Sequence, residues 1–165
     1  MDNPLPMENP RVQLLLRALD TGYDHKSWHG TILRGSLRGV SAAEAAWRPA
    51  PERHNVWELA IHAAYWKYSV LHRLRREVRF PLKGSNWFPR PEGEIDEQAW
   101  KADLRILGEI HRDLRAAVAA LRDEDLDAVP EGSKTTVQDL VLGAAYHDIY
   151  HAGQIQLLKR LRPAP

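Results

Sequence analysis

The chain contains no cysteine. That removes thiolate nucleophiles, disulfide staples and thiolate zinc sites together, and it leaves histidine and carboxylate as the strong metal ligands. An intracellular protein fits this usage. Excess charge is nearly absent as well. With 23 basic and 22 acidic residues the formal charge is +1, which gives no electrostatic reason to expect nucleic acid or an anionic membrane as a partner. A small molecule is the expected ligand. No apolar run approaches the roughly 20 residues needed to span a bilayer. The start, MDNPLPMENP, lacks the basic and apolar regions of a signal peptide, so the expected location is cytoplasmic. Alternation of apolar and polar residues, the mark of a half-buried strand, never runs long enough to suggest a sheet. At 165 residues the expectation is one domain over 1–165, long enough to bury a real core.

What is present is helical periodicity in four long segments, which predicts an all-α chain and a single four-helix bundle. The first segment runs from about Pro10, acceptable at a helix start, to Leu33, and ends near Gly35 and Gly39. Ser41-Ala42-Ala43-Glu44 has capping-box form and predicts a short turn before the Pro49 and Pro51 breaks. The second begins at Asn55, with Glu58 three residues on, and continues through Leu59, His62, Trp66 and Val70 to about Val78. Phe80 to Ile95, with three prolines and two glycines, reads as a long crossover. A connection of that length in a small bundle crosses the bundle or covers a site. Asp96 can cap the third segment, whose Trp100, Leu107, Ile110, Leu114 and Val118 trace an apolar stripe. The fourth starts at Thr135 or Thr136, with Asp139 able to return the capping bond, and ends before Pro163.

The chemistry-bearing signal lies in YHDIYHAGQIQLLKRL. His147 and His151 stand one turn apart and project from one helix face, where a single ion can take both without bending the backbone. Leu140, Ala144, Gln154 and Leu158 share that face, so the imidazoles replace core residues. A divalent ion with open chemistry takes about three protein ligands plus a water. No His, Cys, Asp or Glu follows His151, so the third ligand must lie upstream. His62 replaces a core residue on the second helix in the same way and is the candidate. A single histidine on an apolar stripe is usually an interior residue bonded to a carbonyl or carboxylate. Three close together would cost roughly 1 to 3 kcal/mol each if left unsatisfied. Metal binding needs neutral imidazoles, so the ion is expected to leave as pH falls through and below about 6.5.

The other histidines carry weaker signals. His25 and His29 repeat the i, i+4 spacing beside Asp24, Lys26 and Ser27, a context that favours a solvated or cavity-edge face. His54 lies in a loop, and His72 and His111 sit among Arg and Glu; all three read as surface residues. A zinc-protease motif would need glutamate beside the first ligand. Asp148 has a shorter arm there and no downstream ligand exists, so that reading is rejected, and Asp148 is expected to face away from the pair. Glu58 and Gln154 are placed to accept an imidazole N–H, although capping is the stronger reading of Glu58. Trp28, Trp66, Trp87, Phe88 and Tyr146 are candidates to line an apolar pocket, or core. No catalytic residue is assigned.

The segment NVWELAIHAAYW, followed far downstream by AAYHDIYHAGQIQLLKRL and preceded by LRGVSAAEAAWRPAPERH, resembles the DinB/YfiT-like superfamily of metal-dependent enzymes over nearly the whole chain. The resemblance implies up-down-down-up helix order, frequent dimers, and His62, His147 and His151 as a metal triad occupied by zinc or nickel. It also implies, without choosing between them, thiol S-transfer with a low-molecular-weight thiol as co-substrate or hydrolysis of a small molecule. The rival class is a non-catalytic helical bundle that binds metal or a ligand, with a stress-related role. A DNA-repair role predicts salt-dependent DNA affinity, against which the near-neutral charge argues.

Overall fold

The computed structural model describes residues 9–163; the notable composition of residues 1–8, on which the reading of the N-terminal segment partly rests, lies outside them. The described residues form six α-helices, α1 (Pro10–Tyr23), α2 (Leu33–Leu37), α3 (Ala42–Ala46), α4 (Val56–Leu74), α5 (Glu97–Ala119) and α6 (Val137–Leu161), plus a 3₁₀ turn at Asp123–Asp127 and no strand. The all-α reading holds.

Each long helix starts where its sequence supplies an acceptor for the unpaired first-turn N–H groups. The Asn9 side chain accepts from the N–H groups of Arg11 and Val12, Asn55 from Glu58, Asp96 from Gln98 and Ala99, and Thr136 from Asp139. Ser41 and Glu44 close both halves of a capping box on α3. The four long helices form a ring in which α1 and α4 each pack on both α5 and α6. Gly22 marks a close approach of α1 to α6. A Cβ there would stand 2.8 Å from the Ala145 carbonyl oxygen of α6, so only glycine lets the two backbones meet.

Two helix ends differ from expectation. The first helix stops at Tyr23, ten residues before Leu33, because Asp24-His25-Lys26-Ser27 offers no apolar side chain at three- or four-residue spacing for the bundle to bury. The chain turns there, with Gly30 at φ 101° and Trp28 fully solvent-exposed. The second helix ends at Leu74, not Val78, since Arg75, Arg76 and Glu77 are all exposed and have nothing to pack.

The core has two parts. One gathers Trp57, Ile61, Trp100, Leu107 and Ile155 around α4 and α5. The other gathers Leu15, Leu19, Leu114, Val118 and Val141 around α1 and the far halves of α5 and α6. Buried indoles keep their hydrogen bonds: Trp57 Nε1 donates to Asp103 and Trp100 Nε1 to the Val40 carbonyl, each at 2.7 Å. Between α4 and α6 the ammonium of Lys67 (1% exposed) donates to the carboxylate of Asp148 (0%). Asp148 thus faces away from the histidine pair, as expected, but its partner is a lysine and the pair is sealed in the core.

The crossover is largely exposed and is pinned at two buried residues, Phe88 and Arg90. Phe88 is buried in the first core cluster. Arg90 ties the segment down with both ends of its peptide: its N–H donates to Glu58 at 3.2 Å, and its carbonyl accepts from Asn55 and Arg48 at 2.8 and 3.2 Å. Its guanidinium donates to Asp103 at 2.7 Å.

Candidate metal centre

The crossover lies against the first half of α4, and there, beside the middle of α6, three imidazoles meet. His62 and His151 are buried and His147 is half-buried. Nε2 of His147 lies 3.2 Å from Nε2 of His62 and 2.9 Å from Nε2 of His151, and one ligand atom from each ring falls within 4.8 Å of the other two. Helix geometry explains the pair on α6. His62 reaches it because α4 and α6 are ring neighbours.

The outer ring nitrogens decide what the inner ones can do. His62 Nδ1 lies 2.8 Å from the Asn86 carbonyl, and that oxygen can only accept, so the Nδ1 carries the proton and Nε2 presents a lone pair. His151 Nδ1 lies 2.6 Å from Gln154 Oε1, which fixes the same tautomer. Two lone pairs therefore face the third Nε2, and a single proton on His147 satisfies only one of them. A shared cation satisfies all three. Tetrahedral donors at roughly 2.0 to 2.1 Å from an ion stand roughly 3.3 Å apart, close to the spacings seen. The donor set fits a divalent first-row transition-metal ion.

Burial keeps these rings neutral. It pushes His147 down to about 3, aided by the neighbouring His151 and His62, and His151 down to about 4 against the raising effect of Gln154. His62 is lowered by burial too, opposed by the Asn86 carbonyl. The expectation that the rings charge near the ordinary histidine value therefore shifts to lower pH.

Sequence reasoning missed Asn86 and the full part played by its neighbour. Asn86 adopts φ 63°, a left-handed conformation that asparagine tolerates. That turn aims its carbonyl at His62 while its Oδ1 accepts from Trp66 Nε1 at 2.9 Å. Trp87 lies flat between His62 (3.8 Å, 8°) and His54 (3.6 Å, 5°). The apolar Trp87 in a loop was the available signal; for Asn86 only its place in the long crossover pointed toward the site.

The remaining candidates divide. Gln154 does orient His151 and also donates to the Tyr150 hydroxyl at 3.2 Å. Glu58 touches none of the three rings and does not close a capping box. Its carboxylate takes Arg48, His54 Nδ1 at 2.9 Å and the Arg90 N–H, and although burial alone would raise it, those partners hold it at about 2. His54 is exposed as expected but stacked on Trp87. His25 and His29 lie on the surface away from the three rings; His25 pairs with Asp24, and His29 Nε2 lies 3.1 Å from the Thr21 carbonyl. His72 is half-buried, its Nδ1 3.1 Å from the Val78 carbonyl. His111 corrects the surface reading: it is 3% exposed, because it falls on the apolar stripe of α5 that Arg and Glu neighbours disguise. Trp66 (39% exposed) and Trp87 flank the centre, Phe88 is core, and Trp28 and Tyr146 point to solvent.

The described residues fold into helices that gather three imidazoles from two of them around one point, which defines a class of helical proteins whose histidine cluster is compatible with metal binding. Within that class the chain belongs to the DinB superfamily, whose family model matches residues 27–155. Comparison with curated proteins and with solved structures finds no match. No described helix is long and apolar enough to cross a membrane.

Proposed function

We propose that this protein is a metal-dependent enzyme acting on a small molecule, with one zinc or nickel ion held by His62, His147 and His151. Thiol S-transfer with a low-molecular-weight thiol is the preferred reaction, and hydrolysis is the second. The observation that carries the reading is the pair of Nε2 lone pairs fixed by Asn86 and Gln154 and turned toward the third imidazole. An ion at that point supplies Lewis acidity that lowers the pKa of a thiol or water at its open position, giving a nucleophile at neutral pH.

The chain's own residues position and exclude. Asn86 and Gln154 keep the imidazole faces fixed. Trp87 packs over His62 and shuts water out from the crossover side. No carboxylate hydrogen-bonds to any of the three rings among the described residues, and the chain has no cysteine, so the nucleophile enters from solution. A four-helix bundle of up-down-down-up order, a homodimeric assembly, a cytoplasmic location and the absence of nucleic-acid or membrane partners complete the proposal.

Elemental analysis of protein purified without an affinity tag is expected to give one ion per chain, lost in His62→Ala. His147→Ala is expected to lose both the ion and the conjugation of an electrophile such as monochlorobimane to a small thiol, with melting little changed. Retained turnover of that electrophile, or of p-nitrophenyl acetate, in the metal-free variant refutes the enzyme reading. Collapse of melting with no turnover even in the wild type favours a structural metal in a non-catalytic bundle.

A further inference from the structure

On the other flank of the ring, a groove of about 1050 Å³ runs between α2 and α5, with Tyr23 among its lining residues. That is the size of a small-molecule pocket. Its lining shares no residue with the three-histidine centre. The sealed Lys67–Asp148 pair and the Tyr23 ring, whose centroid lies 5.1 Å from the Lys67 ammonium, stand in the intervening core.

The floor is partly apolar and partly polar. Ile32 and Leu104, both half-buried, supply the apolar surface open to the groove, backed by the core residues Trp100 and Leu107. Tyr23 and His111 stack there with ring centroids 3.8 Å apart, and the Nδ1 of His111 has no hydrogen-bond partner although it is sealed from solvent. Gly108 keeps a gap open above them. A Cβ at that position would lie 3.6 Å from both the Tyr23 hydroxyl and an Arg112 guanidinium nitrogen, so phenol and guanidinium converge on the space that the missing side chain leaves.

Charge on the rim is unbalanced. Arg34, Arg38, Lys101, Arg105 and Arg112 face Asp24, Glu97 and Glu109. Asp24 is already engaged by His25 and Arg34, and Glu97 accepts the Ala42 N–H at 2.8 Å. Arg38, Lys101, Arg105 and Arg112 form no ion pair among the described residues. A guanidinium with free donors beside a buried hydroxyl and an apolar floor recognises an anionic group attached to a flat apolar body.

We propose that the groove between α2 and α5 is a second ligand site, separate from the histidine centre, that takes a small aromatic anion. Arg112, Arg105 and the Tyr23 hydroxyl hold its carboxylate, sulfonate or phosphate, and Ile32 and Leu104 hold its ring.

The test is a fluorescence and calorimetric titration of the full chain with 8-anilinonaphthalene-1-sulfonate and with its uncharged parent, N-phenyl-1-naphthylamine. The sulfonate is expected to bind once per chain, about tenfold or more tighter than the parent, and the double variant Arg105→Ala/Arg112→Ala is expected to erase that preference. Gly108→Leu fills the gap and is expected to weaken both probes. His147→Ala, which disables the proposed metal centre, is expected to leave sulfonate binding unchanged, so failure of the enzyme reading leaves this result standing. Equal affinity for the two probes, sulfonate binding that survives the double arginine variant, or its loss in His147→Ala overturns the proposal.

Discussion

Replacing Lys67 by methionine tests how α4 is held on α6. In the wild type both charges are out of water, with Lys67 1% and Asp148 0% exposed. Burial pulls the Asp148 carboxyl upward against the lowering pull of Lys67, and Asp148 Oδ1 has no partner. The pair is therefore incompletely satisfied, which costs about 1 to 3 kcal/mol relative to a fully bonded carboxylate. Lys67→Met leaves that carboxylate alone in the core and is expected to cost about 3 to 5 kcal/mol. Asp148→Leu strands the ammonium instead, with a loss of similar size. The double variant removes both charges and puts apolar side chains of comparable volume in their place, so it is expected to recover to within about 1 to 2 kcal/mol of wild type. Urea unfolding followed by circular dichroism on all four proteins gives the coupling energy directly. Additive losses, or a Lys67→Met variant less than about 1 kcal/mol below wild type, would refute the reading that the two groups depend on each other.

Three further outcomes are expected. Gln154→Leu removes the acceptor that fixes the His151 tautomer; metal affinity measured against a chelator should fall about 10- to 100-fold with unfolding free energy nearly unchanged. Gly22→Ala drives a methyl group to 2.8 Å from the Ala145 carbonyl and should lower the melting temperature, whereas helix propensity alone would raise stability by about 1 kcal/mol. Burial, helped by Lys67, holds His111 down at about 2 in the folded state against an unfolded value near 6.5, so the unfolded chain takes up the proton first and His111 costs stability as pH falls below about 6.5. The metal-free wild type should therefore lose about 1.4 kcal/mol more per pH unit than His111→Gln between about pH 6 and 4, and parallel stability curves would show that the ring charges in place.

The helices were legible because their signals are local. Asn55, Asp96, Thr136 and the Ser41–Glu44 box all cap where their sequence placed them, and the apolar stripe of α5 is buried as periodicity requires. The α6 histidine pair was visible for the same reason, since four residues on a helix is a fixed distance. His62 joined it through its place on the α4 stripe and through the family resemblance, both of which report on faces. The α1 boundary failed because Asp24 to Ser27 carries helix-compatible residues without an apolar face, and only the absence of something to pack against ends the helix. His111 failed because charged residues stand near it in sequence, whereas in space its ring is sealed in the core and stacked on Tyr23. Asn86 acts through a backbone carbonyl, which every residue has, so no side-chain pattern marks it.

The Arg90-anchored segment bears on what reaches the three imidazoles. A partition pinned by Phe88, Glu58, Asn55 and Asp103 leaves the half-buried His147 as the least covered of the three rings, with the Trp66 ring 6.3 Å from it. Trimming the Trp66 ring is therefore expected to let wider molecules reach that imidazole.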